Sequence, residues 1–283
     1  MEPLIEASEL LARRSDPRLR VLDARFELLD PTAGRRLYRL GHVGGALFVD
    51  LDEDLSDPQP PGRAGGRHPL PDMQAFVGRL GERGVGDEHE VVVYDQGGTM
   101  FAARAWWMLR YAGHGKVRVL NGGYRAFLEA GGEPDVEEPT YAPARLSLRL
   151  RPEMIATRGD VRARLYDAAV AIVDARAPER YRGETEPLDP RPGHIPSAMN
   201  VPFERTLDAH GRLLPAEVLR ERFRPVGERD QVVSYCGSGV SAAHNVLALE
   251  VAGLAEARLY VGSWSDWCSA EHSPIALGEE PPG

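Results

Sequence analysis

Two stretches decide the fold: Val21-Leu22-Asp23-Ala24-Arg25 and Ile172-Val173-Asp174-Ala175-Arg176. Each is a short apolar run closing on Asp-Ala-Arg, and Asp23 and Asp174 lie 151 residues apart. Working outward, Gly41-His42-Val43-Gly44-Gly45-Ala46 matches Gly193-His194-Ile195-Pro196-Ser197-Ala198, with His42 and His194 152 apart. Glu90 to Asp95 matches Asp230 to Cys236, and pairing Asp95 with Cys236 gives 141. Val119 to Tyr124 matches Leu259 to Trp264 at an offset of 140. Four ordered matches need only one length change, so the chain is a tandem duplication.

Each half alternates short strands with helices. In the first, Ser8 is expected to cap a helix over Glu9–Arg14, followed by a strand at Arg20–Leu22. Asp72 precedes an amphipathic helix, Met73–Arg83, then come a buried strand Val91–Tyr94, a helix Ala102–Ala112 and a strand Val117–Leu120. In the second, Thr157 or Asp160 starts a helix and Ala171–Val173 is a strand. Helix Pro215–Phe223, strand Gln231–Tyr235, helix Ser241–Ala252 and strand Arg258–Val261 complete it. Apolar strands separated by helices predict an α/β fold: two mainly parallel sheets with helices on both faces. The Gly- and Pro-rich stretch from Gly131 to Pro143 reads as the linker, giving domains at 1–142 and 143–283.

Composition narrows the function. The chain has 283 residues, enough for two cores, with a net charge of −9. An acidic chain is a poor fit to nucleic acid, but a small anionic ligand needs only a local positive site. No apolar run reaches the ~18 residues of a membrane span, and the start lacks a basic region leading into an apolar one, so a cytoplasmic location is expected. Cys236 and Cys268 are the only cysteines, too few for a disulfide scaffold or a cysteine metal framework. Lys116 is the only lysine, which disfavours Schiff-base and P-loop chemistry.

Chemistry concentrates at Cys236. It ends an apolar strand and is followed by Gly237-Ser238-Gly239-Val240-Ser241 and a helix. Two glycines let the loop turn its N–H groups inward, and the helix N-terminus adds positive potential. Such a setting favours the thiolate. The competing reading is a buried structural cysteine beside a glycine turn. Its place at the carboxyl end of the strand, where such folds bind ligands, favours reactivity.

The loop Cys236-Gly237-Ser238-Gly239-Val240-Ser241-Ala242, together with the duplicated Asp-Ala-Arg and Gly-His motifs, resembles the rhodanese superfamily across nearly the whole chain. The resemblance implies two tandem rhodanese-like domains, the first non-catalytic with Asp95 at the cysteine position and the second catalytic. Within the superfamily, Gly237-Ser238 resembles the 3-mercaptopyruvate sulfurtransferases, whereas thiosulfate enzymes carry Arg-Lys there; Ser241 stands where Thr is usual. It implies a Cys236 persulfide, with Gly237, Gly239, Val240 and Ser241 lining the sulfur site. Arg180 is the implied carboxylate-binding residue, set against a surface pairing with Glu179 or Glu184. Arg191 is the candidate second arginine, with Arg182 as the alternative. Ser238, His68 and Asp52 match a serine-protease-like relay, against Ser238 as a plain helix cap and Asp52 as a solvated loop acid.

His42 and His194 read as turn-stabilising, and Asp23, Arg25, Asp174 and Arg176 as structural, because both halves carry them. Cys268 reads as a buried cysteine, with a resolving thiol as the alternative. The expected partners are an anionic sulfur donor and a thiol acceptor such as thioredoxin, with no metal or organic cofactor required. The rivals are a thiosulfate:cyanide sulfurtransferase, a low-turnover persulfide carrier, and a cysteine phosphatase. The last needs an arginine six residues after the nucleophile, where this chain has Ala242.

Overall fold

The computed structural model describes residues 1–60, 62, 64–227, 229–254 and 256–279. Two compact units form. The first comprises Met1–Asp57, Leu70–Arg151 and Leu207–Leu213; the second comprises Pro58–Pro69, Pro152–Thr206 and Leu214–Gly283.

The first unit runs β1 (Leu4–Ile5), α1 (Ala7–Arg13), β2 (Leu19–Asp23), α2 (Ala33–Leu40), β3 (His42–Val43), β4 (Ala46–Phe48), α3 (Met73–Glu82), β5 (Glu90–Tyr94), α4 (Met100–Tyr111), β6 (Val117–Leu120), α5 (Gly123–Glu129) and β7 (Pro134–Asp135). Its five-stranded sheet has the order β1-β6-β5-β2-β4 and is parallel throughout. The second unit runs β8 (Ile155–Ala156), α6 (Arg158–Ala163), β9 (Val170–Asp174), α7 (Pro178–Tyr181), β10 (Met199–Asn200), α8 (Ala216–Arg222), β11 (Gln231–Tyr235), α9 (Ser241–Val251), β12 (Ala257–Tyr260) and α10 (Ser263–Ser269). Its sheet order, β8-β12-β11-β9-β10, repeats the first in parallel register. The antiparallel pairing of β3 with β7 at His42 and Asp135 returns as a bridge between His194 and Ala276.

The central strands β5 and β11 carry long apolar runs because both of their faces are covered; Val91, Val92 and Val93, like Val232, are fully buried. Asp72 caps α3, accepting from the Ala75 N–H at 2.8 Å. Thr157 caps α6 in a reciprocal capping box with Asp160. Ser8 does not cap α1: the cap position is Glu6, and Ser8 lies inside the helix, which starts two residues earlier than expected, at Ala7, with Ala7 and Leu10 buried.

The duplicated motifs build one frame twice. Arg25 donates to Asp23 and to the Gly41 carbonyl at 2.7 Å, and Arg176 donates to Asp174 and to the Gly193 carbonyl at 2.7 Å. His42 stacks on Tyr38 and His194 on Tyr181, with ring centroids 3.9 and 3.8 Å apart. The Tyr94 and Tyr235 hydroxyls accept from the Val43 and Ile195 N–H groups, each at 3.1 Å. Each frame therefore ties the strand before the reactive loop to the Gly-His turn.

The Gly- and Pro-rich stretch after α5 is bound to the first unit. The Tyr141 hydroxyl donates to the Gly45 carbonyl at 2.8 Å, the Ala144 N–H to Gly81 and the Arg149 N–H to Ala112. Two segments are grouped apart from their neighbours in sequence. Within the first unit, the Leu213 N–H donates to Asn121 Oδ1 and Arg212 pairs with Glu129. Within the second, the Gly65 N–H donates to Asp266 Oδ1 at 2.8 Å and the Arg67 N–H to Ser265 Oγ at 3.0 Å. Gly66 has φ +89° and its backbone lies so close to the Gly262 carbonyl that a Cβ would sit 2.5 Å from the oxygen, so only glycine fits.

Candidate active site

Strand β11 delivers Cys236 to the carboxyl edge of the second sheet, and α9 begins five residues later. Between them the chain turns through Gly239 at φ +80°, which aims the Gly239 N–H at Cys236 Sγ, 3.1 Å away. The Cys236 N–H donates to Ser263 Oγ at 3.1 Å, and the Cys236 carbonyl accepts from the Trp264 N–H at 2.9 Å. The start of α10 thus braces the loop from below. Cys236 is buried, with 2% of its surface exposed.

Ser238 Oγ lies 2.8 Å from His68 Nδ1, on the Pro58–Pro69 segment of the same unit. A hydroxyl and an imidazole at that distance can pass a proton. Asp52 belongs to the first unit, where its N–H donates to Asp50 Oδ1 at 2.8 Å; packing of the surrounding chain, with Asp50 and Glu53 nearby, pushes its carboxyl above the ordinary value.

Arg180 reaches the loop from α7. Its Nη1 lies 3.5 Å from the position a Cβ would take on Gly237, and its Nη2 donates to Glu186 Oε1 at 2.7 Å. Its buried Nε has no hydrogen-bond partner among the described residues. Arg67 comes closer still, with Nη2 2.8 Å from the same Gly237 position, and is ion-paired with Asp189.

Arg191 does not join this pair. Its guanidinium donates to the carbonyls of Cys268 and Ala270, both at 2.7 Å, which secures the end of α10. Arg182 is paired with Glu184 and Glu279 at the surface. Cys268 is buried, and burial, with the Asp189 charge added, pushes its thiol up to about 11. A thiol held that high is a poor nucleophile near neutral pH. Arg67, Glu186, Asp189 and Ser263 were not foreseen; the one local signal was that Arg67 adjoins His68.

The first unit shows the same loop without the thiol. Asp95 follows β5, and its carboxylate accepts from the N–H groups of Gly97, Thr99, Phe101 and Ala102 at 3.0–3.2 Å. Strand, loop and helix therefore form an anion cradle, here filled by the protein's own side chain. Among the described residues, no cluster of three His, Cys, Asp or Glu side chains is arranged to hold a metal ion, and no helix is long and apolar enough to cross a membrane.

A family model for the rhodanese-like domain matches residues 6–130 and again 157–270. The chain belongs to the rhodanese family. Over 98% of both chains it is 43% identical to the probable 3-mercaptopyruvate sulfurtransferase of Pseudomonas aeruginosa. Over 97% of both chains it is 40% identical to the putative thiosulfate sulfurtransferase SseB of Mycobacterium tuberculosis. The crystal structure of the 3-mercaptopyruvate sulfotransferase SseA from Escherichia coli superposes with a TM-score of 0.82 at 32% identity, covering 94% of this chain and 100% of that one. In this rhodanese chain the loop itself carries no charged side chain, and the positive charge at its mouth comes from Arg67 and Arg180.

Proposed function

We propose that the chain is a 3-mercaptopyruvate sulfurtransferase working by double displacement. The observation that carries the donor assignment is the cationic mouth above an uncharged Gly237-Ser238 loop: it suits a carboxylate held away from the sulfur being transferred. The Cys236 thiolate attacks the sulfur of 3-mercaptopyruvate while Arg180 holds the carboxylate. The new S–S bond takes its electrons from Cys236, and the breaking C–S bond leaves its pair on carbon as the pyruvate enolate. A proton delivered through His68 and Ser238 converts the enolate to pyruvate. The persulfide on Cys236 rests in the loop, where the Gly239 N–H already points at sulfur and Gly237, Val240 and Ser241 complete the wall. A thiol then attacks the outer sulfur and restores Cys236. A reduced dithiol protein such as thioredoxin, in the cytoplasm, supplies that thiol.

The test is sulfur transfer to cyanide, read as thiocyanate, with 3-mercaptopyruvate and thiosulfate side by side and Cys236→Ser as the blank. The expected result is a large preference for 3-mercaptopyruvate, abolished in Cys236→Ser. His68→Ala is expected to lower the rate with 3-mercaptopyruvate, whose leaving group needs a proton, far more than the rate with thiosulfate; Asp52→Asn tests the acid of the relay in the same way. A preference for thiosulfate would overturn the donor assignment and favour the second reading, the activity named for the Mycobacterium tuberculosis relative.

A further inference from the structure

The two units share a frame but differ in what covers the edge of the sheet. In the first, the edge strand is β4, and the chain after β7 returns to it. The Tyr141 hydroxyl donates to the Gly45 carbonyl at 2.8 Å, the Tyr141 Cβ packs on Gly84, and Arg20 lies over the ring at 4.1 Å. Clefts of about 250 and 300 Å³ flank Tyr141, which lines both. In the second unit the edge strand is β10. By strand register and sequence offset, Ser197 matches Gly45, Tyr181 matches Tyr38, Arg224 matches Arg83 and Pro225 matches Gly84. The geometry repeats too. Ser197 keeps the left-handed backbone of Gly45, φ +66° against +79°, and the Tyr38 and Tyr181 hydroxyls donate to the Ala46 and Ala198 carbonyls at 2.7 and 2.6 Å. Around β10, however, these residues line one cavity of about 810 Å³, a size that ligand sites commonly have. Ala276 bridges His194 as Asp135 pairs with His42, so the residue matching Tyr141 in sequence is Pro282, which offers no hydroxyl.

The cavity is positive in a chain whose net charge is −9. Arg182, Arg205, Arg224 and Arg229 line it against Asp167 and Glu279. Arg182 pairs with Glu279, and Arg229 is turned onto the Pro225 and Val226 carbonyls. Arg205 is exposed, and the Arg224 side chain is 79% exposed although it reaches Glu221 at 3.3 Å. We propose that this cavity docks an extended acidic segment of a partner protein that carries a tyrosine, seated as Glu137-Glu138-Pro139-Thr140-Tyr141 is seated in the first unit. The tyrosine lies against Pro225 with its hydroxyl toward the Ser197 carbonyl, and the carboxylates meet Arg205 and Arg224. No residue of the Cys236 loop lines the cavity, so docking is separate from sulfur chemistry and does not depend on which donor loads the cysteine.

The first unit supplies the probe: a fluorescein-labelled peptide with the sequence of Asp135–Ala142, titrated against the full chain and followed by anisotropy. Saturable binding at one peptide per chain is expected, weakened by about 500 mM NaCl because the charges that guide it are exposed. Glu138→Gln and Tyr141→Phe in the peptide should each weaken it. In the protein, Arg205→Glu with Arg224→Glu should raise Kd about 10-fold or more, with thermal unfolding and sulfur transfer to cyanide unchanged. Arg18→Glu, an equally exposed reversal in the first unit, should leave Kd as it is. Binding that the paired reversal does not weaken, or that Arg18→Glu weakens as much, overturns the site. Binding that appears only when the chain is ended at Glu279 assigns the cavity to the chain's own last residues and overturns the partner. A dimer in sedimentation that the paired reversal dissociates assigns it to a second copy, with the same consequence. No binding at about 1 mM peptide, weaker than any useful docking, overturns the proposal outright.

Discussion

Asp95 and Cys236 stand at matching ends of β5 and β11, and the difference between them is the difference between a structural loop and a reactive one. The Asp95 carboxylate fills its cradle with four main-chain hydrogen bonds. The Cys236 sulfur accepts from the Gly239 N–H at 3.1 Å and, at 4.0 Å, from the Ser263 hydroxyl, which leaves its loop suited to a longer group such as a persulfide. Burial raises the Asp95 carboxyl pKa above its usual value despite those N–H donors. The folded state therefore holds this proton more tightly than the unfolded state, and Asp95 contributes more stability at acid pH than at neutrality. Asp95→Asn keeps one acceptor oxygen and turns an amide donor toward N–H groups. It should destabilise the protein by about 1–3 kcal/mol in urea unfolding. The gap from wild type should narrow as pH rises through the carboxylate range; a gap that widened with pH would sink the burial argument. At this scale Cys236 was legible because strand, glycine turn and helix are contiguous in sequence. Arg67 was not, because 170 residues separate it from Gly237 and only the folded chain brings them together.

Among the elements, α9 carries the reactive loop at its start and His244 in its first turn. His244 is fully buried and shares a 2.6 Å hydrogen bond with Thr206 Oγ1 on the short 3-10 helix Phe203–Thr206. Burial drops its pKa to about 3, so the folded protein keeps it neutral, while the unfolded chain protonates it near 6.5. This stability is fully present above the unfolded value and is lost as pH falls from there toward 3. Urea unfolding followed from neutral to mildly acid pH should show His244 contributing a slope approaching ~1.4 kcal/mol per pH unit. His89 and His114 are also shifted down by burial and act in the same direction, so the comparison must be with His244→Gln, which should flatten the slope. Equal slopes in the two proteins would show that His244 titrates alike folded and unfolded. Long periodic elements such as α3, α4 and α9 were readable because one face or both had to be apolar. The two-residue strands β1, β8 and β10 were not, since a pair of residues has no period and its pairing is set by the neighbouring strand.

Across the whole molecule, the duplication was legible because the Asp-Ala-Arg and Gly-His motifs build the same arginine-carboxylate and histidine-tyrosine frame in each unit. The grouping of Pro58–Pro69 with the second unit was not, since a Pro- and Gly-rich segment carries no periodicity to show where it packs. Two similar units nevertheless predict one reactive sulfur. The first has a carboxylate where the thiol would be, and Cys268, the other thiol, is buried and held near 11. Protein loaded with 3-mercaptopyruvate and freed of excess donor should release one thiocyanate per chain on treatment with cyanide. Peptide mass analysis should place the added sulfur on the Cys236 peptide, and Cys268→Ser should load to the same extent. Two sulfurs per chain, or loading lost in Cys268→Ser, would mean that Cys268 takes part in the transfer and that burial does not silence it. A yield of one, all of it on Cys236, would mean that the duplication kept the frame in both units and the chemistry in one.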